Sequence, residues 1–299
     1  MTLEGLTVPI LTSFDSDGAI DLGRNGKFAR SLCEARVDHL FVLGSTGEFP
    51  SILPGERAPL IEVVVESATR QVDVWAGCGA PSTAQAAEFA EEAEGIGVAA
   101  LVAVPPYYLH PSMTAVDHYY RALREATSVP LLAYNNPSLV GYALPPALLH
   151  SLAHEGILTG VKDSGGSLES VSAYLAGAPK GFTVLPGDPP LASAAIERGA
   201  RGAVMAVSNV VPKLCVELVG AARRGETSRT RELQSLVDQL VAVAKAGPGI
   251  ATLKFLVAEL RGEEVGYRAP YEPLTPAEKA AVLGKLEPLR PRLAPFLGK

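Results

Sequence analysis

Cysteine is scarce, and its pattern excludes two kinds of protein. The 299 residues hold three cysteines, Cys33, Cys78 and Cys215. An odd and widely spaced set builds neither a disulfide framework nor a zinc site, and buried small hydrophobes are the reading it fits. The five histidines (His39, His110, His118, His150, His154) contain no H-E-x-x-H pattern. His150 and His154 are spaced i, i+4 but have no third partner, so no metal is expected. Basic stretches are missing and the formal net charge is −6, which argues against nucleic acid as a partner. No apolar run reaches the ~18 residues needed to span a bilayer. Residues 1–5 lack the basic start and apolar core of a signal peptide. The expected location is therefore the cytoplasm, with no membrane partner. G-x-G-x-x-G does not follow the first strand, which removes a Rossmann reading.

What is present is alternation. Short apolar runs at 6–10, 39–43, 72–76, 98–104, 130–134, 157–161, 182–185 and 202–206 read as buried strands. Helical patterns separate them, at about 21–35, 55–69, 82–94, 113–126, 145–154 and two more before residue 199. Asp21, Ser82 and Ser167 stand where N-caps belong. In the helix from 82, Ala87, Ala90 and Ala93 are expected to pack closely. Continuous apolar strands alternating with helices imply a parallel sheet covered on both faces. Eight such units predict the α/β class and a (β/α)8 TIM barrel. Residues 1–208 are expected to form the barrel with the active site. Residues 209–299 are expected to form a C-terminal helical extension packed on it, with helices at 210–220, 227–246, 249–261 and 275–289.

A barrel of this kind builds its active site at the C-terminal ends of its strands. The polar residues there are Ser45, Thr46 and Glu48, Tyr107 and Tyr108, Tyr134 and Asn135, Lys162, Asp163 and Ser164, Asp188, then Ser208 and Asn209. Lys162 ends an apolar strand, where burial of the charged form is costly and a neutral, nucleophilic amine is favoured. A strand-end lysine can also simply snorkel to water. One lysine among tyrosines, small hydroxyls and glycine turns suits Schiff-base chemistry on a keto acid. A tyrosine can shuttle the protons, and Gly44-Ser45-Thr46-Gly47 can bind a carboxylate through adjacent backbone N–H groups.

Gly44-Ser45-Thr46-Gly47-Glu48, Pro106-Tyr107-Tyr108, Tyr134-Asn135-Asn136-Pro137, Gly160-Val161-Lys162-Asp163 and Gly202-Ala203-Val204 together resemble the dihydrodipicolinate synthase / N-acetylneuraminate lyase family of pyruvate-dependent class I aldolases. The resemblance covers essentially the whole chain. It implies that Lys162 forms an imine with pyruvate, so that no separate cofactor is needed, and that Tyr134 shuttles protons. It implies that Ser45 and Thr46 hold the pyruvate carboxylate, with the Ser45 hydroxyl linking Tyr134 to Tyr108. Tyr108 would reach into a neighbouring subunit of a homotetramer built as a dimer of dimers. Gly187 and Val204 would line the pyruvate pocket.

The departures bear on the second substrate. Leu139 stands where the synthases carry an arginine for the aspartate semialdehyde carboxylate, and losing that charge-assisted partner weakens recognition. Phe49, Pro50 and Pro81 replace polar residues used in lysine feedback. Pro189 and Pro190 follow Asp188 where sialate lyases place acidic residues. The reading that remains is a lyase for a 2-keto acid such as a 2-keto-3-deoxy sugar acid, with an aldehyde as partner and Leu139 beside it. A 4-hydroxy-tetrahydrodipicolinate synthase and a catalytically silent keto-acid binder stay open as alternatives.

Overall fold

Each apolar run becomes a short strand: β1 (Gly5–Pro9), β2 (His39–Val42), β3 (Asp73–Gly77), β4 (Ala100–Ala103), β5 (Leu131–Asn135), β6 (Gly160–Asp163), β7 (Thr183–Pro186) and β8 (Gly202–Val204). The computed structural model describes residues 2–297; residues 1, 298 and 299, at the outer ends of the two expected regions, lie outside it. Neighbouring strands pair in parallel from β1 through β7, and β8 pairs with β1. The seam between β7 and β8 carries a single backbone bond, from Arg201 N–H to the Val184 carbonyl at 3.3 Å. Closure on the other side depends on Gly202. A Cβ there would lie 2.0 Å from the Gly5 carbonyl oxygen, so a side chain would push β8 off β1.

The side chains alternate between two cores. Phe41, Trp75, Val102, Leu132, Tyr134, Leu185 and Val204 fill the barrel interior. Leu40, Val42, Val74, Leu101, Leu131, Val184 and Ala203 face the surrounding helices. This is the period-2 pleat with both faces buried.

Helices Leu22–Glu34, Pro54–Ser67, Thr83–Ile96, Met113–Glu125, Pro146–His154, Leu168–Leu175 and Ala192–Glu197 follow β1 to β7, with the short Pro137–Val140 directly after β5. Asp21, Ser82 and Ser167 accept N-cap bonds from Arg24, Gln85 and Ser170. In Thr83–Ile96 the buried stripe is Ala86, Ala90 and Ala93. Ala87, expected in that stripe, is only half-buried, because the i, i+4, i+7 face starts one residue earlier. β6 also begins later than its apolar run. The Ile157 N–H bonds back to the Leu152 carbonyl at 2.9 Å and closes the preceding helix. Lys162 therefore lies within the paired strand.

Helix Pro212–Arg223 packs on β1 and β8 and completes the outer ring. Helices Thr227–Ala244, Gly249–Arg261, Pro276–Leu286 and Arg290–Leu297 follow. The run expected at 275–289 ends early because Pro288 can neither donate nor continue the turn. These helices build no core of their own: Val237, Leu256, Leu286 and Leu293 share one buried cluster with Leu6 and Val8 of β1. Among the described residues no single helix is long and apolar enough to cross a membrane.

Candidate active site

Strand register assembles the centre. Tyr134 of β5 sits opposite Lys162 of β6, and Lys162 sits opposite Leu185 of β7. Alternation turns Tyr134 and Leu185 into the barrel interior, and Lys162 shares their face. It is 5% exposed. The Nζ lies 3.8 Å from the centroid of the Tyr134 ring and 5.1 Å from that of Phe41. Lys162 is thus no snorkeler; its amine is held over aromatic faces.

The Tyr134 hydroxyl lies 3.3 Å from Ser45 Oγ and accepts from Asn136 Nδ2 at 2.9 Å. Asn136 is itself fixed by the Ser138 hydroxyl, which donates to its Oδ1 at 2.9 Å. Burial alone would raise the phenol pKa. The Lys162 charge and the hydrogen bonds with Ser45, Lys162 and Asn136 outweigh burial and hold it below its ordinary value. A buried tyrosine with a lowered pKa, facing an amine, is poised to move protons.

Gly187 follows β7 and leaves room for the lysine. A Cβ at this position would meet Ser164 Oγ at 2.2 Å and Lys162 Cε at 3.2 Å. Ser164 can rotate away, but Lys162 has little space to do so. Gly187→Ala is expected to slow reaction of the Lys162 amine with a carbonyl compound by about 10²-fold, the size of effect that a shift of roughly 1 Å produces. Single-turnover trapping with borohydride checks this, and an unchanged trapping rate would show that the lysine does not depend on this gap.

The loop after β2 folds back on itself. Gly47 N–H donates to the Gly44 carbonyl at 3.0 Å and Glu48 N–H to the Ser45 carbonyl at 3.1 Å. Leu43 and Glu48 frame the turn, both at φ 60°. Among the described residues four non-glycine residues have positive φ, and Leu43, Glu48 and Tyr108 all belong to loops at the C-terminal face. Such strain collects at functional sites.

Ser45, Thr46 and Asn136 line a cavity of about 440 Å³ above this centre. Leu139 stands on its rim, 68% exposed, and Val204 lies in the interior layer with Tyr134. Lys162, Tyr134, Ser45 and Gly187 therefore meet, and Thr46, Leu139 and Val204 surround them. Tyr108 does not join its own chain's site. It is 89% exposed at φ 74°, beside Leu109, which is also exposed. Other strand-end residues have structural work. Asn135 donates to Asp163 Oδ1 at 2.8 Å, and Asn209 accepts from Leu11 N–H and donates to the Pro9 carbonyl. Glu48 turns away from the cavity to Lys254. Sequence reasoning missed Ile250 and Tyr271, which also line the cavity. They lie far along the chain, and no local pattern marks them.

A model of the dihydrodipicolinate synthetase family matches residues 2–288. The chain belongs to that family. It is a lyase of the family, with the fold and segments described above. An uncharacterized DapA-like lyase of Halobacterium salinarum is 35% identical, over 96% of this chain and 94% of that protein. A 4-hydroxy-tetrahydrodipicolinate synthase of Aromatoleum aromaticum is 33% identical, over 94% and 96%. Among solved structures, a prophage protein of the same family from E. coli K12, in complex with pyruvate, superposes with a TM-score of 0.92 at 27% identity. That match covers 97% of this lyase and 99% of the other chain.

Proposed function

We propose that this lyase is a Schiff-base, pyruvate-dependent aldolase that makes or cleaves a 4-hydroxy-2-keto acid. The observation that carries the reading is the Lys162 amine, 3.8 Å from the Tyr134 ring, whose hydroxyl reaches Ser45 at 3.3 Å. In the synthetic direction the amine adds to C2 of pyruvate and water leaves, giving a protonated imine. C3 loses a proton to form the enamine. Its electron pair then attacks an aldehyde carbon, the C–C bond forms, and the carbonyl pair moves to oxygen, which takes a proton. Water hydrolyses the iminium, releasing product and free amine. Tyr134 moves the protons, with Ser45 as its relay, and the Ser45-Thr46 turn holds the carboxylate. The imine is covalent, so the reaction runs without a separate cofactor. The buried free thiols of Cys33, Cys78 and Cys215 fit a reducing compartment such as the cytoplasm.

The exposed Tyr108 fits the same reading. In a homotetramer built as a dimer of dimers it would complete the relay of a neighbouring subunit. The names of the synthase relatives favour a second reading, condensation with aspartate semialdehyde. A coupled assay with that aldehyde separates the two.

The test of the reading is borohydride reduction in the presence of pyruvate. It should add one reduced pyruvyl group, on Lys162; folded protein that gains no mass sinks the proposal. The relay makes a further demand. Because the phenol sits below its ordinary pKa, activity that needs it protonated falls as pH rises through that lowered value. Ser45→Ala removes one of the bonds that lowers it, so the phenol pKa rises. The alkaline limb of kcat/KM should move to higher pH, while the rate at neutral pH drops by about tenfold or more. A limb that stays put would mean that Tyr134 is not the titrating group.

A further inference from the structure

The cavity that meets the centre at Ser45 and Asn136 is also lined by Phe49, Tyr107, Leu139, Val140, Ile250 and Tyr271. These come from separate parts of the chain. Phe49 and Tyr107 meet edge to face, with centroids 5.9 Å apart. Leu139 is held next to the centre by its own N–H, which donates to the Asn136 carbonyl at 3.2 Å. Ile250 lies in the first turn of helix Gly249–Arg261. Of the polar side chains that line the cavity, Ser45 and Asn136 bond the Tyr134 hydroxyl, Thr46 adjoins Ser45, and the phenols of Tyr107 and Tyr271 are the rest. The Asn136 side chain is already engaged at both ends, by Tyr134 and by Ser138. Among the described residues, none that lines the cavity carries a charge.

We infer that the carbonyl acceptor is an aldehyde with an apolar, ring-sized substituent, in place of the polyhydroxylated aldehyde of the 2-keto-3-deoxy sugar acid expected from the sequence, and not a carboxylated chain. This rests on the imine reading above and specifies its second substrate. Beyond Ser45, Thr46 and Asn136, a polyol in this cavity would find only the phenols of Tyr107 and Tyr271 for its several hydroxyls, and a carboxylate would lose water without gaining a cation. A phenyl ring would instead exchange water for aromatic and aliphatic walls. At about 440 Å³ the space has the size of a small-molecule site, with room beyond pyruvate itself. Leu139, exposed at the rim, is the residue that reads the substituent.

The experiment supplies pyruvate with benzaldehyde, D-glyceraldehyde or succinic semialdehyde, and follows pyruvate consumption and product mass. Borohydride trapping on Lys162 is run in parallel. The expected result is an adduct on Lys162 and a kcat/KM for benzaldehyde about tenfold or more above those of the other two. Leu139→Arg should reverse the order of benzaldehyde and succinic semialdehyde, since a guanidinium at the rim disrupts water-free packing of the ring and pairs with the carboxylate. An adduct with glyceraldehyde or the semialdehyde used as well as benzaldehyde overturns this inference alone. An adduct with no turnover of benzaldehyde does the same. No adduct at all overturns the imine reading and this inference with it.

Discussion

Lys162→Ala is expected to lose kcat by on the order of 10⁴-fold or more and to take up no pyruvyl mass on borohydride treatment. The expectation follows from the strand register. Lys162 is 5% exposed and faces Tyr134 across the β5–β6 ladder, and among the described residues no other amine lies over that ring. Residual rate would come from the carboxylate cradle and from proximity alone. The loss has a second sign. Without the Lys162 charge, the phenol keeps the upward push of burial and loses an opposing cause, so its pKa rises. Ultraviolet titration of the variant should show this even with no turnover. Circular dichroism separates failure of chemistry from failure to fold. A folded variant that is still trapped at another lysine would remove Lys162 from the mechanism. The same variant tests the silent-binder alternative. A protein that only holds keto acids would keep much of its pyruvate affinity without the amine, and the natural chain would form no product with any aldehyde.

Most of the barrel was legible because burial on both faces leaves a strand few polar positions away from its C-terminal end. Eight apolar runs separated by helix-length segments admit few other topologies. The two cores, inner and outer, follow from alternation along those same runs. The register of Tyr134 on Lys162 was not legible, because a strand pair can slip without changing its composition; here the site motifs of the two strands had to supply it. Tyr108 was legible only through the resemblance, which expected it at a neighbouring subunit's site, and its side chain is exposed outside its own chain's cavity. Least legible was the part played by residues beyond 209. They read as helices packed on the barrel, and the structure adds a cavity wall from Ile250 and Tyr271. One signal was available. Lys254 interrupts an apolar stripe that includes Leu253, Leu256 and Val257, and a lysine there needs a partner to be buried.

That partner is Glu48, and the pair carries the second large effect. Lys254 Nζ lies 2.6 Å from Glu48 Oε1, and both side chains are 0% exposed. The amine also donates to the Gly266 carbonyl at 2.7 Å. Burial pushes the Glu48 carboxyl pKa up, and the pull of Lys254 and Arg268 does not cancel it. Burial pushes the Lys254 amine down, and Glu48 does not cancel that. Both directions say that desolvation exceeds attraction, so the pair adds little net stability while either member alone is costly. Lys254→Met should destabilise the fold by about 3–5 kcal/mol, because Glu48 is left buried without its cation. Glu48→Gln combined with Lys254→Met should cost less than the sum of the single changes, with a coupling of about 0.5–3 kcal/mol in denaturant unfolding. Glu48 closes the same turn that carries Ser45 and Thr46, so the single variant should also slow pyruvate trapping and the double variant should recover part of it. Strictly additive stabilities, or trapping untouched by Lys254→Met, would mean that helix Gly249–Arg261 does not hold the carboxylate turn in place.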